Sequence, residues 1–166
     1  GAAMRAAELG LEHGDVRTAD AIAKWNTQIE GTTGTVGAVI LDDSGRIAAA
    51  TSTGGRGMER VGRVSDSATV AGNFATPHAG MSCTGIGEDI VNGSLASRLV
   101  TTVESGVPIG VAASKLIARM KKMNWEAGFI ALDNTGNWVA PFTTEVMYWT
   151  AIDDLGEHQF SDPGSP

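Results

Sequence analysis

Threonine stands beside glycine three times at places that read as strand ends: Gly34-Thr35, Thr51-Ser52-Thr53-Gly54-Gly55 and Ser82-Cys83-Thr84-Gly85-Ile86-Gly87-Glu88. A hydroxyl attacks a carbonyl only when something takes its proton, and glycine lets a backbone approach a reacting group closely. The pairing has chemical use. Taken singly, each occurrence also reads as a β-former followed by a turn former, so the combination and order carry the argument. Other familiar nucleophile systems are missing. There is no Gly-x-Ser-x-Gly elbow, and the single cysteine, Cys83, has no obvious histidine partner in sequence. His13, His78 and His158 are scattered, so neither a zinc cluster nor a disulfide framework is expected, and no metal or other cofactor. One further segment, Gly62-Arg63-Val64-Ser65-Asp66-Ser67, sets a guanidinium and a carboxylate three residues apart. By itself that pair reads as a surface salt bridge in a loop.

These residues need elements to hold them. Thr35 to Asp42 is a β-rich run, Asp43-Ser44-Gly45 a hairpin turn, and Arg46 to Thr53 a second strand. The same form returns as Gly128 to Asp133, the turn Asn134-Thr135-Gly136, and Asn137 to Phe142. Between them lie a glycine-rich loop over 54–67, strands near 68–75 and 79–84, and two helices. The first helix is predicted from about Gly87 to Glu104. The second runs from about Ile109 to Lys122, with Ile109, Ala112, Ala113, Leu116, Ile117 and Met120 on one face and lysines at its negative end. Ahead of Thr35 the sequence reads as helical: Ala2 to Leu11, then Thr18 as N-cap of a helix to about Gln28, then the loop Gly31-Thr32-Thr33-Gly34. From Ser161 onward a disordered tail is expected. The sum is an α+β layered architecture.

Composition excludes several partners. The 166 residues carry 12 Lys+Arg against 19 Asp+Glu, a formal net charge of −7. Lys121-Lys122 is the only basic doublet, so a nucleic-acid backbone is not an expected partner. No apolar run approaches the ~20 residues of a membrane span. The opening residues lack a signal peptide's apolar core, and a soluble, cytoplasmic protein is expected. Glycine accounts for 22 residues, about twice the usual share, without a collagen-like period. It marks tight turns and close approaches.

Four ordered motifs then carry a resemblance: Thr35-Val36-Gly37-Ala38-Val39, Ala48 to Gly55, Gly62 to Ser67, and Ser82 to Asp89. With the later Gly128 to Asp133 and Pro141 to Tyr148, they resemble the plant-type asparaginase/isoaspartyl aminopeptidase family over about residues 35–149. That family consists of N-terminal-nucleophile hydrolases with a threonine nucleophile and a four-layer αββα sandwich. The resemblance implies autocatalytic cleavage at Gly34–Thr35, after which the freed α-amine of Thr35 serves as base for its own hydroxyl. An α-amine has an ordinary pKa of ~7.7–8.0, so a useful fraction is neutral near pH 7. The further roles implied are orientation of the nucleophile by Thr53, an oxyanion hole from Thr84 and the Gly85 N–H, a substrate carboxylate clamp at Arg63, and an ammonium receiver made of Asp66 and the Gly87 carbonyl. The substrates implied are L-asparagine and β-aspartyl peptides.

The same resemblance divides the chain into the end of an α-subunit (1–34), a catalytic β-subunit-like domain (35–160) and a tail (161–166). No strand candidate precedes Thr35, so the strands that an α-subunit contributes are expected from an α-subunit-like partner, or the assembly from a homo-oligomer. A truncated, non-catalytic assembly partner is the alternative. Glycosylasparaginase-like and taspase-like threonine hydrolases are the rival enzyme classes, and Arg63 with Asp66 argues against the latter, because an interior peptide segment has neither free head group. The sequence departs from the family at Ser65 (usually Gly), Thr143 (usually Asn) and Val146 (usually Gly), which bears on substrate fit more than on the nucleophile.

Overall fold

The computed structural model describes residues 6–11, 19, 34–55 and 62–161. Of the helices expected before Thr35, only a short helical turn at 6–8 falls fully within them, and the helix from Thr18 lies otherwise outside, as does the tail beyond Ser161. Strands β1 (Thr35–Leu41) and β2 (Ile47–Thr53) form the first hairpin, antiparallel, with Thr35 opposite Thr53 and Leu41 opposite Ile47. A four-stranded antiparallel sheet follows, in the order β3 (Asn73–Ala75), β4 (Ala79–Gly85), β5 (Ala127–Asp133), β6 (Trp138–Val139). Helices α1 (Gly87–Gly93), α2 (Leu95–Glu104) and α3 (Ile109–Met123) connect β4 to β5. Mixed helix and antiparallel sheet make this an α+β protein.

Period-two alternation along β4 and β5 decides the layering. Ala79, Met81, Cys83, Ala127, Phe129 and Ala131 are buried in one cluster with Leu99, Val100, Leu116 and Met120 of the helices. The other face of β4 looks at the hairpin. A Cβ on Gly80 would fall 2.7 Å from Ile47 and 2.9 Å from Val39, so glycine permits the two sheets to meet. The order is therefore helices, sheet, hairpin. The hairpin's far face is apolar and exposed: Val36 is 73% and Ile40 59% accessible, and Ala38, Ala48 and Ala50 lie on the same side.

Three departures from the sequence expectation have physical causes. The helix expected over 87–104 is broken, because Ser94 adopts φ +48° and ends α1. Gly93, pressed between Leu95 and Trp125, leaves no room for a side chain there. The new helix donates its first N–H groups, from Ala96 and Ser97, to the carbonyls of Ala71 and Val70. The strand expected over 68–75 shrinks to Asn73–Ala75, since Asp66–Ala68 is a 3-10 turn capped by the Thr69 N–H and hydroxyl on the Asp66 carbonyl. A further hairpin, β7 (Thr150–Ile152) with β8 (His158–Phe160), departs from the sequence expectation. The Ser161 N–H on the Trp149 carbonyl extends its ladder, and the Trp149 ring, its centroid 5.0 Å from that of Trp138, rests it against β6.

Three of the hairpins, β1–β2, β5–β6 and β7–β8, use one turn. Asp42, Asp133 and Asp153 each accept at Oδ1 the N–H groups two and four residues on. Gly45, Gly136 and Gly156, three residues after each aspartate, take φ of +77°, +85° and +78°, a region open chiefly to glycine.

Candidate active site

Thr35 begins β1 and Thr53 ends β2, so the hairpin register alone sets them side by side. Their hydroxyls share a hydrogen bond of 3.3 Å, with Thr35 donating. Thr53 Oγ1 also accepts the Gly55 N–H at 3.1 Å, which fixes that oxygen against the turn following the strand. Hydroxyl thus faces hydroxyl at the open end of the hairpin.

The next row inward holds the two sheets together. Strand alternation puts Gly37 and Thr51 on the same face as Thr35 and Thr53, and Ser82 on the same face as Thr84. Thr51 Oγ1 lies 2.7 Å from Ser82 Oγ, and a Cβ on Gly37 would collide with that same serine oxygen. Sequence reasoning overlooked Thr51, Ser82 and Gly37 as positioning residues. The signal was available, since each stands two residues from a threonine already singled out.

Strand β4 delivers Thr84 and Gly85 at its end. Gly85 has φ +130°, and a Cβ there would run into the Glu126 carbonyl. The Ile86 N–H donates to that same carbonyl at 2.8 Å, so the turn beyond Gly85 is clamped to the start of β5. Cys83, between Ser82 and Thr84, points to the opposite face. It is buried, with its thiol 3.8 Å from the Ala71 carbonyl. Burial, aided by the charge of Asp66, pushes the Cys83 thiol far above its ordinary value, so no thiolate forms there near neutral pH. The nucleophile candidates on this side of the molecule are hydroxyls.

Asp66 is buried at 7% accessibility, in the 3-10 turn, and packs between two glycines. A Cβ on Gly87 would lie 2.7 Å from Asp66 Oδ1, and one on Gly72 would lie 2.7 Å from Oδ2. The structure thus brings Asp66 and Gly87 together. Arg63 is exposed on the segment leading into the turn. A cleft of about 370 Å³ opens beside Gly37, Ser82, Thr84, Ile130, Met147 and Tyr148. Of the predicted site residues only Thr84 lines it; Arg63 and Asp66 do not. Among the described residues, no group of three or more His, Cys, Asp or Glu side chains is placed to hold a metal ion. No described helix is long and apolar enough to cross a membrane.

Comparison with known proteins bears on this arrangement. The family model described as Asparaginase matches residues 6–161. The isoaspartyl peptidase/L-asparaginase of Synechocystis sp. is 52% identical over 116 residues, covering 70% of this chain and 35% of that protein. The Nostoc sp. protein of the same name is 48% identical over 103 residues, 62% of this chain and 32% of its own length. The Homo sapiens protein of that name is 41% identical over 133 residues, 78% and 43%. The chain therefore spans between about a third and somewhat under half of the curated relatives it matches.

Proposed function

The chain belongs to the asparaginase family, and from that premise we propose that it is the threonine-bearing half of a hydrolase acting on β-aspartyl amide bonds, in L-asparagine or in isoaspartyl dipeptides. The observation that carries this reading is the Thr35–Thr53 hydroxyl pair at the end of the first hairpin.

In the uncut chain the Thr35 nitrogen is a peptide N–H with no lone pair to offer, and its hydroxyl turns to Thr53. Cleavage at Gly34–Thr35 changes that nitrogen into an amine, which takes the hydroxyl proton as the oxygen attacks the substrate's side-chain carbonyl. Thr53 orients the attacking oxygen. Thr84 and the Gly85 N–H receive the charge developing on the carbonyl oxygen. The leaving amine or ammonia takes up the proton, and water then hydrolyses the ester on Thr35 to release aspartate. Arg63 pairs with the substrate's α-carboxylate, while Asp66 and the Gly87 carbonyl serve its α-amino end.

The layering supports a wider reading of the fold. Helices, sheet and hairpin correspond to three layers of an αββα sandwich, with residues 35–160 as the catalytic unit and 1–34 as the end of the half that precedes the cut. The exposed apolar face around Val36 and Ile40 supports a partner half, supplied by an α-subunit-like polypeptide or a further copy, as the missing cover.

The test is mass spectrometry of the incubated chain, followed by assay with asparagine and β-Asp-Leu. A fragment running from Thr35 to Pro166, and product that depends on it, is the expected result. A chain that stays intact alone and with the matching portion of a relative, or equal product from Thr35→Ala, would remove Thr35 from the mechanism.

A further inference from the structure

Both carboxylate oxygens of Asp66 stand against a glycine. Oδ2 faces Gly72, where even a methyl group would lie 2.7 Å away. Oδ1 faces Gly87 and already accepts a hydrogen bond from the Ser65 hydroxyl at 3.2 Å. The Ser65 hydroxyl in turn rests on Gly87, since a Cβ at that glycine would collide with it. Ser65 is half-buried and Asp66 is 7% accessible, so the serine is the more outward of the two. A ligand ammonium coming to the gap between Asp66 and Gly87 meets the Ser65 oxygen there. To touch Oδ1 it must displace a hydroxyl that is both bonded and packed.

On the reading that Asp66 and Gly87 serve the ligand's amino end, we infer that Ser65 withdraws Asp66 from direct contact with that ammonium and makes Ser65 a specificity-determining residue. The ammonium then meets a neutral hydroxyl lone pair beside the Gly87 carbonyl in place of a carboxylate oxygen, and gains less. Arg63 still pairs with the α-carboxylate, which is present whether or not the amine is. The site therefore accepts the desamino class, half-amides of succinate, alongside L-asparagine, and discriminates weakly between L-aspartate and succinate as products.

Isothermal titration calorimetry on the full chain tests this without relying on turnover, using L-aspartate and succinate as probes. The unchanged chain is expected to bind the two within a few-fold of each other. Ser65→Gly opens Oδ1, and a hydrogen bond to a charged group is worth roughly ten- to a hundredfold in affinity, so L-aspartate gains by that factor while succinate does not. Ser65→Ala, which keeps the backbone preference of the native residue, moves in the same direction. Asp66→Asn added to Ser65→Gly abolishes the gain. A merely structural serine would shift both ligands together. A strong preference for L-aspartate in the unchanged chain that Ser65→Gly and Ser65→Ala leave unaltered overturns the inference while the head-group reading stands. Failure of both ligands to bind the unchanged chain and every variant overturns the head-group reading itself, and this inference with it.

Discussion

The hydroxyls of Thr51 and Ser82 lie 2.7 Å apart and join the first hairpin to the central sheet. Thr51 stands two residues from Thr53 on β2, and Ser82 two residues from Thr84 on β4. The pair therefore fixes the spacing between the strand ends that carry Thr35 with Thr53 and Thr84 with Gly85. It is partly buried, with Ser82 itself 3% accessible. Leaving one of two such groups without its partner costs about 1–3 kcal/mol, whereas removing both at once costs less than the sum. Thr51→Val and Ser82→Ala are each expected to lower stability by that amount, with the double variant losing less than both together. Urea unfolding midpoints check this; strict additivity would show that the two hydroxyls do not interact.

Gly37 makes the approach of the two sheets possible. A Cβ there meets Ser82 Oγ well inside contact distance, and overpacking of this kind costs about 1–3 kcal/mol. Gly37→Ala is expected to destabilise the chain within that range, and in a Ser82→Gly background, where the colliding oxygen is gone, the same substitution is expected to cost much less. Thermal unfolding of the single and double variants reads this directly. A tolerated Gly37→Ala would show that the hairpin is free to move away from β4.

The oxyanion role proposed for Thr84 makes a kinetic prediction. Loss of one donor to a developing oxyanion typically lowers kcat about 10²- to 10³-fold. Thr84→Val, of nearly unchanged shape, is expected to lower kcat by that factor in the cleaved, assembled enzyme, with little change in KM. A drop confined to KM would move Thr84 from the chemistry to ground-state binding.

Acid stability should depend on Asp133. Burial pushes its carboxyl up, but hydrogen bonds from the Thr135 and Asn137 side chains and backbone outweigh that and hold it below its ordinary value. The folded form thus binds its proton less readily than the unfolded form. Its contribution to stability is fully present above the unfolded value of about 3.9 and is lost as pH falls through the lower folded one. Chemical unfolding between neutral pH and acid is expected to show that loss, and Asp133→Asn to flatten the part of the profile it contributes. An unchanged profile in Asp133→Asn would mean the turn gains nothing from ionisation.

How legible these features were in sequence follows from how local their causes are. The first hairpin was readable because its alternation and its Asp-x-x-Gly turn are contained within nineteen residues, Thr35 to Thr53. The same Asp-x-x-Gly turn stands at Asp153 to Gly156, but the strands that flank it are three residues each, too short for an alternation to mark them. The break at Ser94 was not legible at all. It depends on Gly93 meeting Trp125 and on carbonyls of Val70 and Ala71 accepting from the new helix, contacts that only the folded chain assembles. At the site, the positions of Thr35 and Thr53 followed from hairpin register. The closing of Asp66 between Gly72, Gly87 and Ser65 did not, since those residues meet through three separate segments.

Thr143 stabilises the strand end that faces Gly85. Its Oγ1 lies 2.6 Å from the Trp125 carbonyl and accepts the Ala127 N–H at 3.1 Å, while its own N–H donates to the Ala127 carbonyl at 2.9 Å. Ala127 is fully buried and sits directly opposite Gly85 in the β4–β5 register. A hydroxyl at residue 143 is therefore the partner that a buried backbone donor beside the Gly85 turn depends on. Thr143→Val keeps the shape and removes that partner, leaving the Ala127 N–H unsatisfied at a cost of about 1–3 kcal/mol. Thr143→Ser, which retains the oxygen, is expected to lose less than half as much. Hydrogen exchange should locate the effect: the Ala127 and Ile86 amides lose protection in Thr143→Val, while amides in the middle of α3 keep theirs. Equal loss of protection across α3 would mean that Thr143 supports the whole domain and has no particular hold on the end of β5.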